Sequence, residues 1–374
     1  MAHTTVGIVT ITDYKNYGNR LQNYALTKLL EAEGLRTVNL TSVATKEKWR
    51  DMSTIRWKWM VKNLTPLFFV RKLLSRPPRP GDGLMGERER CFRTFTEGYT
   101  TILPPIVENT DRAVYRRLEK LGVAYFIAGS DQVWNPLFQG RDVDFLTFAP
   151  PEKRLSFAAS IGVDEIPNGQ LARYGQLLRE MKYLSVREQR AVEIIKELTG
   201  RDADLTLDPT LLLEPEEWDK VVKKPGLELD EHYICTYFLG ETPEAVQQFA
   251  REKGLRIYAL NSQESPELFT LDPGEFLYMI KSAAYVLTDS FHAVAFSIKF
   301  HKEFYVFCRK QANTRNMFSR IETITKRFGL GNRIQSRDAI VEQPPVTHWE
   351  TIDREMLTEK AASMQRLLIA METL

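Results

Sequence analysis

Cysteine, histidine and long apolar runs are all scarce in this sequence. The three cysteines, Cys91, Cys235 and Cys308, lie far apart with no CxxC pair, which argues against a disulfide framework or a zinc knuckle and fits a reducing cytoplasm. The five histidines (His3, His232, His292, His301, His348) show no ligand spacing, so no metal is expected. No apolar window approaches the ~20 residues of a membrane-spanning helix. The short run Val6 to Ile11 passes straight into Thr12-Asp13-Tyr14-Lys15, without the pattern of a secretory leader. A cytoplasmic protein, soluble or peripheral at the inner face of the membrane, is expected. Internal repeats and low-complexity tracts are missing too. What is present is the balance of an ordinary folded protein, 43% apolar and 27% charged, which excludes a disordered chain. The 374 residues exceed what one core usually serves, so two domains are expected.

Near-neutral net charge hides one uneven stretch. Lys46 to Arg93 carries thirteen Lys or Arg against five Asp or Glu, interleaved with Trp49, Trp57, Trp59, Phe68 and Phe69. Two readings stand: an amphipathic element lying on an anionic bilayer surface, or a solvated helical pair packed on the first domain. Nucleic acid is not expected, because no recognisable binding motif accompanies the patch.

Elsewhere short runs rich in Val, Ile and Tyr alternate with helix-period segments, the pattern of parallel βα units. The alternation predicts strands at Thr5 to Thr12, Leu35 to Leu40, Val123 to Ala128, Leu155 to Ile161 and Tyr183 to Val186. It restarts beyond Pro215, Pro225 and Gly226 with strands at Tyr233 to Phe238, Arg256 to Leu260, Tyr285 to Thr288 and Phe304 to Cys308. The fold class is α/β, with two Rossmann-like, doubly wound domains facing each other across a cleft. An N-terminal domain over 1–214 holds the basic insertion at about 43–105. A second spans 215–345, and a helix in 346–374 packs back on the first.

In such folds the carboxyl ends of the strands carry the ligands. Here those ends present Thr12, Tyr17-Gly18-Asn19-Arg20, Gly129-Ser130-Asp131-Gln132, Ser160, Arg187, Asp208, Asp289-Ser290-Phe291-His292 and Arg309. The run Val286 to Ala293 reads as a buried strand that delivers a carboxylate, a hydroxyl and an imidazole to a helix N-terminus, a place suited to anions. An anionic substrate beside His292 follows.

Five segments in order, Tyr17-Gly18-Asn19-Arg20-Leu21-Gln22-Asn23-Tyr24-Ala25-Leu26, Gly129-Ser130-Asp131-Gln132-Val133-Trp134-Asn135-Pro136, Leu184-Ser185-Val186-Arg187-Glu188, Leu207-Asp208-Pro209-Thr210 and Thr288-Asp289-Ser290-Phe291-His292, resemble those of polysaccharide pyruvyl transferases. Arg309, Asn313, Arg315 and Leu330-Gly331-Asn332-Arg333 continue the match. The resemblance implies a fold similar to GT-B glycosyltransferases and transfer of a pyruvyl group from phosphoenolpyruvate, a co-substrate, to sugar hydroxyls of an exopolysaccharide precursor. The product is a pyruvate ketal, and no cofactor is called for.

The resemblance maps functional roles onto Arg187 and His292. Histidine suits the chemistry because C3 of the enol must gain a proton while a sugar hydroxyl loses one, and Arg187 is assigned to the donor phosphate. The packing alternatives are a hydrogen-bonded His and a surface Arg187–Glu188 ion pair. Many members carry Arg two positions before the His where this chain has Ser290. Arg309, Lys310 or Arg315 is then expected to serve the donor, together with Asp289, Ser290, Phe291 and Asn313. On the acceptor side are Asn19, Arg20, Gly129, Ser130, Asp131, Asn135 and Trp134, with helix bracing by Arg20 and core packing by Trp134 as alternatives. Asp208-Pro209 reads as a structural turn. The expected acceptor is a glycan or lipid-linked oligosaccharide. Competing functions are a nucleotide-sugar glycosyltransferase of the same fold and a non-catalytic glycan-binding protein.

Overall fold

A computed structural model describes residues 4–43, 83–107, 112–137, 139–309 and 315–372. The first sheet contains β1 (Thr5–Val9), β2 (Arg36–Val43), β3 (Ile102–Val107), β4 (Val123–Ala128) and β5 (Arg154–Ser156), in the order β3-β2-β1-β4-β5. All pairings are parallel. Isolated bridges, Leu155 to Tyr183 and Ala159 to Val186, attach the short parallel pair β6 (Ser185–Val186) and β7 (Asp204–Leu205) beyond β5. The second sheet, also parallel, contains β8 (Tyr233–Tyr237), β9 (Arg256–Ala259), β10 (Tyr285–Thr288), β11 (Glu303–Phe307) and β12 (Ile334–Gln335) in the order β12-β11-β10-β8-β9. Parallel strands are covered on both faces, which is why they read as near-continuous apolar runs. Two Rossmann-like sheets follow directly from this topology.

The principal helices are α1 (Tyr17–Ala32), α2 (Gly83–Tyr99), α3 (Arg112–Lys120), α4 (Leu171–Arg179), α5 (Gln189–Thr199), α6 (Glu244–Lys253), α7 (Pro273–Ser282), α8 (Phe291–Lys299), α9 (Arg315–Arg327) and α10 (Trp349–Glu372). Helix α1 is buried over nearly its whole length because it touches α2, α7, α8 and the single turn Pro209–Leu212 as well as its own sheet. Asn16 caps it, its side chain accepting from the Asn19 N–H, and Gly34 takes the left-handed φ of 79° that turns the chain into β2. Helix α10 reaches back over the first sheet. Tyr125 donates to the Met371 carbonyl, Arg366 pairs with Asp204 at 3.3 Å and Lys360 with Glu214 at 2.9 Å.

The insertion expected to interrupt the first domain over about 43–105 returns to the sheet within its C-terminal part. α2 packs on α1, and β3 forms the sheet edge. Pro104 and Pro105 stopped the strand signal in the sequence, but an edge strand tolerates proline, and the register shifts there so that Leu40 faces Leu103 while Ser42 faces Ile106. Trp49, Trp57, Trp59, Phe68, Phe69 and the rest of 44–82 lie outside the described residues. Among the described residues no helix is long and apolar enough to cross a membrane.

Candidate active site

Strand order reverses between β1 and β4 in one sheet and between β8 and β10 in the other. The carboxyl ends at such switch points are where an open α/β sheet leaves a crevice. Here they face each other. After β4 the chain turns through Gly129 and Ser130 to Asp131, whose φ of 74° is left-handed without being glycine, a local strain typical of functional turns. Its carboxylate accepts from the side-chain N–H of Asn19 at the start of α1, from the Gln132 backbone N–H at 2.9 Å and from Arg187 at 3.1 Å.

Arg187 follows β6, and its side chain is 1% exposed, which removes the surface ion-pair alternative. Its guanidinium donates to Asp208 and, at 3.3 Å, to Ser130 Oγ, and it lies 4.7 Å from the Phe291 ring centroid. Asp208 caps Pro209–Leu212, with Oδ1 accepting from Thr210 N–H at 3.0 Å and from Thr210 Oγ1 at 2.7 Å. Its Oδ2 accepts from Ser130 Oγ at 2.7 Å. Burial alone would raise the Asp208 carboxyl, but Arg187, then His292, Ser130 and the Thr210 N–H bring it down to about 2. Asp131 is lowered in the same way, burial being outweighed by Arg187, His292 and Arg320. Glu188 Oε1 accepts from Ser160 Oγ at 2.8 Å and Gly162 N–H at 2.9 Å, while its Oε2, 4.0 Å from Arg187 Nε, is buried without a hydrogen-bond partner among the described residues.

His292 sits in the first turn of α8, at the carboxyl end of β10. Its Nε2 lies 3.9 Å from Asp208 Oδ2 and is buried with no hydrogen-bond partner. The ring rests on Gly18 of α1, where a Cβ would come within 1.9 Å of Nδ1, so only glycine lets the two sheets' helices meet there. Burial lowers the imidazole's pKa, the Asp208 and Asp131 carboxylates raise it, and Arg187 and Arg320 lower it; the net shift is downward. The ring is therefore neutral at neutral pH and open to accept a proton.

The remaining sequence candidates divide. Asp289 accepts from the N–H groups of Leu239 and Gly240 at 2.7 and 2.8 Å and from Arg309 Nε at 3.0 Å, so Asp289 and Arg309 brace the loop ends of the second sheet. Ser290 caps α8, its N–H bonded to Thr288 Oγ1 at 3.0 Å. Lys310 and Asn313 lie outside the described residues, as does the Arg315 side chain, although Arg315 opens α9. Arg20 donates to the Ile11 carbonyl and stacks 5.4 Å over Tyr14, with Nε buried and unpartnered. Asn135 shapes its own turn by accepting from Leu137 N–H at 2.9 Å. Trp134 takes the packing alternative: fully buried, stacked on Phe145 at 5.1 Å, its indole N–H bonded to the Asp144 carbonyl, it offers no face to a sugar.

Neither Gly18's contact nor Arg320 was found from the sequence, and of Asp208 only the turn-capping role was. Asp208 looked like a turn because Leu-Asp-Pro-Thr is a local capping signature, and its second oxygen's partners come from β4 and β6. Gly18 gave no sign that an imidazole would rest on it, and Arg320, mid-way along α9, carried no local signal. A cavity of about 20 Å³ lies between Arg187, Asp208, Phe291, Arg320 and Arg327, room for about one water. Among the described residues no group of three or more His, Cys, Asp or Glu side chains is placed to hold a metal ion.

Residues 16–308 match the family model described as polysaccharide pyruvyl transferase. No curated protein matches the chain. Among solved structures, the S. aureus MnaA–UDP co-structure aligns over 97% of both chains at 9% identity and a TM-score of 0.46. UDP-GlcNAc 2-epimerase from Neisseria meningitidis bound to UDP-GlcNAc aligns over 97% of this chain and 99% of that one at 9% identity and 0.45. The glycosyltransferase SnogD from Streptomyces nogalater aligns over 98% and 99% at 10% identity and 0.41.

Proposed function

The chain belongs to the polysaccharide pyruvyl transferase family, and from that premise we propose that it moves the pyruvyl group of phosphoenolpyruvate onto two hydroxyls of a glycan precursor, closing a pyruvate ketal. The observation that carries this reading is His292, neutral and unpartnered at Nε2, held beside the Arg187–Asp208–Asp131 network where the two switch points face.

In the proposed reaction two C–O bonds form at C2 of the donor and the bond from C2 to the phosphate oxygen breaks. Of the two protons given up by the hydroxyls, one ends on C3, which becomes the methyl group, and the other leaves with phosphate. His292 is the base for an attacking hydroxyl, and the proton it takes is the one that the enol carbon requires, so one imidazole can relay it. The α8 N-terminus favours the anionic donor, and Arg187, held by Asp208 and Asp131, orients the network around it. Asn19, Arg20, Ser130 and Asp131, at the edge of the first sheet, are assigned to the acceptor.

Phosphate release is the test. Incubation with phosphoenolpyruvate and a lipid-linked or free glycan should release inorganic phosphate only when both are present, with a pyruvate ketal found on the glycan by mass spectrometry. Turnover of a nucleotide sugar without phosphoenolpyruvate-dependent phosphate release would replace this reading with a glycosyltransferase. Binding without turnover of either would leave a glycan-binding protein.

A further inference from the structure

Arg320 lies on α9, beyond the residues that the family model covers. It is 7% exposed, yet among the described residues no carboxylate stands within ion-pair distance of it, and its Nε is buried without a partner. It lies against the end of the Gln132 side-chain amide, whose oxygen accepts from the guanidinium at 2.8 Å when the amide is turned to satisfy its neighbours, and against the face of Phe291 at 5.7 Å. Arg20 and Arg88 are likewise buried without a carboxylate partner among the described residues, but backbone carbonyls accept from their guanidiniums; the other buried arginines have carboxylates. Arg187 has Asp208 and Asp131, Arg333 has Glu303, and Arg154 has Glu180. A desolvated guanidinium with no directly paired counter-ion opposes folding, and Arg187 on the other side of the same cavity adds repulsion. Burial first, and then Arg187, pushes Arg320 down to about 10, against the Glu188 and Asp131 carboxylates, which raise it without pairing with it, and it is still charged at neutral pH.

Such a residue is compensated when an anion arrives. Arg187 cannot supply that seat without giving up a carboxylate, Arg309 is engaged by Asp289, and Arg327 is paired with Glu355 and Glu359. We infer that Arg320 is an anion seat of the donor site, its planar fork taking an oxygen pair of the carboxylate or phosphate of phosphoenolpyruvate, with Gln132 and Phe291 setting its orientation. This rests on the phosphoenolpyruvate reading above. The two anionic groups share the chemistry that a guanidinium recognises.

Calorimetric titration of the full chain and its Arg320→Gln and Arg320→Lys variants with phosphoenolpyruvate, inorganic phosphate and pyruvate tests it. Arg320→Gln should weaken phosphoenolpyruvate binding at least about tenfold, the loss expected for one charged hydrogen-bonded contact, and Arg320→Lys should recover part of it. Weakened binding of phosphate but not pyruvate identifies the phosphate end; the reverse identifies the carboxylate. The ligand-free Gln variant should melt no lower than the parent, because a buried charge without a direct ion-pair partner has been removed, whereas a bracing residue would lower the melting point. Unchanged phosphoenolpyruvate affinity in Arg320→Gln, or a folded Lys variant with full parent affinity should the Gln variant not fold, overturns the inference. If the parent binds phosphate through Arg320 but not phosphoenolpyruvate, the donor reading fails and the anion seat stands; if it binds none of the three, both fail.

Discussion

An imidazole buried between two carboxylates and two guanidiniums titrates according to whichever influence prevails, and at His292 burial prevails. If His292 is the base, the acidic limb of kcat/KM should fall below 6.5, the ordinary value for histidine. Asp208→Asn removes a carboxylate that supports the imidazolium, so the limb should move lower still. It also strips Arg187 of its main partner, which should cost about 3–5 kcal/mol in urea unfolding. A limb at or above 6.5, or one that ignores Asp208→Asn, removes His292 from the chemistry; His292→Gln should lower kcat by about 10²–10⁴. Linkage has a definite sign here. Because the folded-state pKa lies below the unfolded one, the unfolded chain takes up the proton first, and stability falls as pH drops from 6.5 toward the folded value. Asp208 adds to this at lower pH: its stabilisation is complete above 3.8 and is lost as pH falls toward about 2. The acid-side loss between pH 7 and 5 should therefore shrink in His292→Gln.

At the scale of elements, α1 and α8 meet through a glycine and a histidine, and that contact orients the proposed base. Gly18→Ala would place a methyl inside the imidazole ring's volume, so the ring must swing away. Helix α1 itself gains from the exchange, since alanine is the better helix former. We expect kcat to fall at least about 10²-fold, the lower bound for losing a general base, with far-UV circular dichroism unchanged; wild-type turnover in Gly18→Ala would mean that the ring's position is immaterial. Elements with strong local signals were legible in the sequence. The strand expected at Tyr285 to Thr288 matches residue for residue, and α7 carries a clear start signal because Asp272 and Glu275 form a capping box. The two-residue strands β7 and β12 are too short to carry a period. Helix α2 was hidden by its charge, because Arg88 in it is 1% exposed, and a basic residue in the sequence does not by itself mark solvent. The site's strand ends were legible for the same reason the strands were, whereas the pairing of Arg187 with Asp208 and the emptiness around Arg320 depend on chain segments brought together only by the fold.

The basic-aromatic stretch belongs to the whole molecule's relation to surfaces. Its excess of eight positive charges between Lys46 and Arg93 should draw the protein to anionic vesicles at about 1 kcal/mol per basic residue near the bilayer. Sedimentation with such vesicles should weaken with added salt and again when Arg71, Lys72, Arg76 and Arg79 become Gln. Binding indifferent to both would remove the membrane role. Within the molecule, the two sheets are pinned together beside the site. Arg88 of α2 donates to the Lys15 carbonyl at 3.0 Å and, across the junction, to the Phe269 carbonyl at 2.5 Å, with Tyr17, Phe92 and Phe269 rings around it. Tyr17 reaches the second sheet's side as well, stacking on Phe276 at 4.1 Å and donating to the Leu271 carbonyl at 2.9 Å. Opening at this junction is expected to govern how readily substrates are admitted and then enclosed. Arg88→Met keeps much of the side chain's bulk while deleting both carbonyl bonds, so it should shift the population toward open forms. The apparent KM for phosphoenolpyruvate should rise as the competent closed fraction falls, and small-angle scattering should report a larger radius of gyration. Unchanged scattering together with an unchanged KM would show that Arg88 only packs, and that closure is set elsewhere along α1.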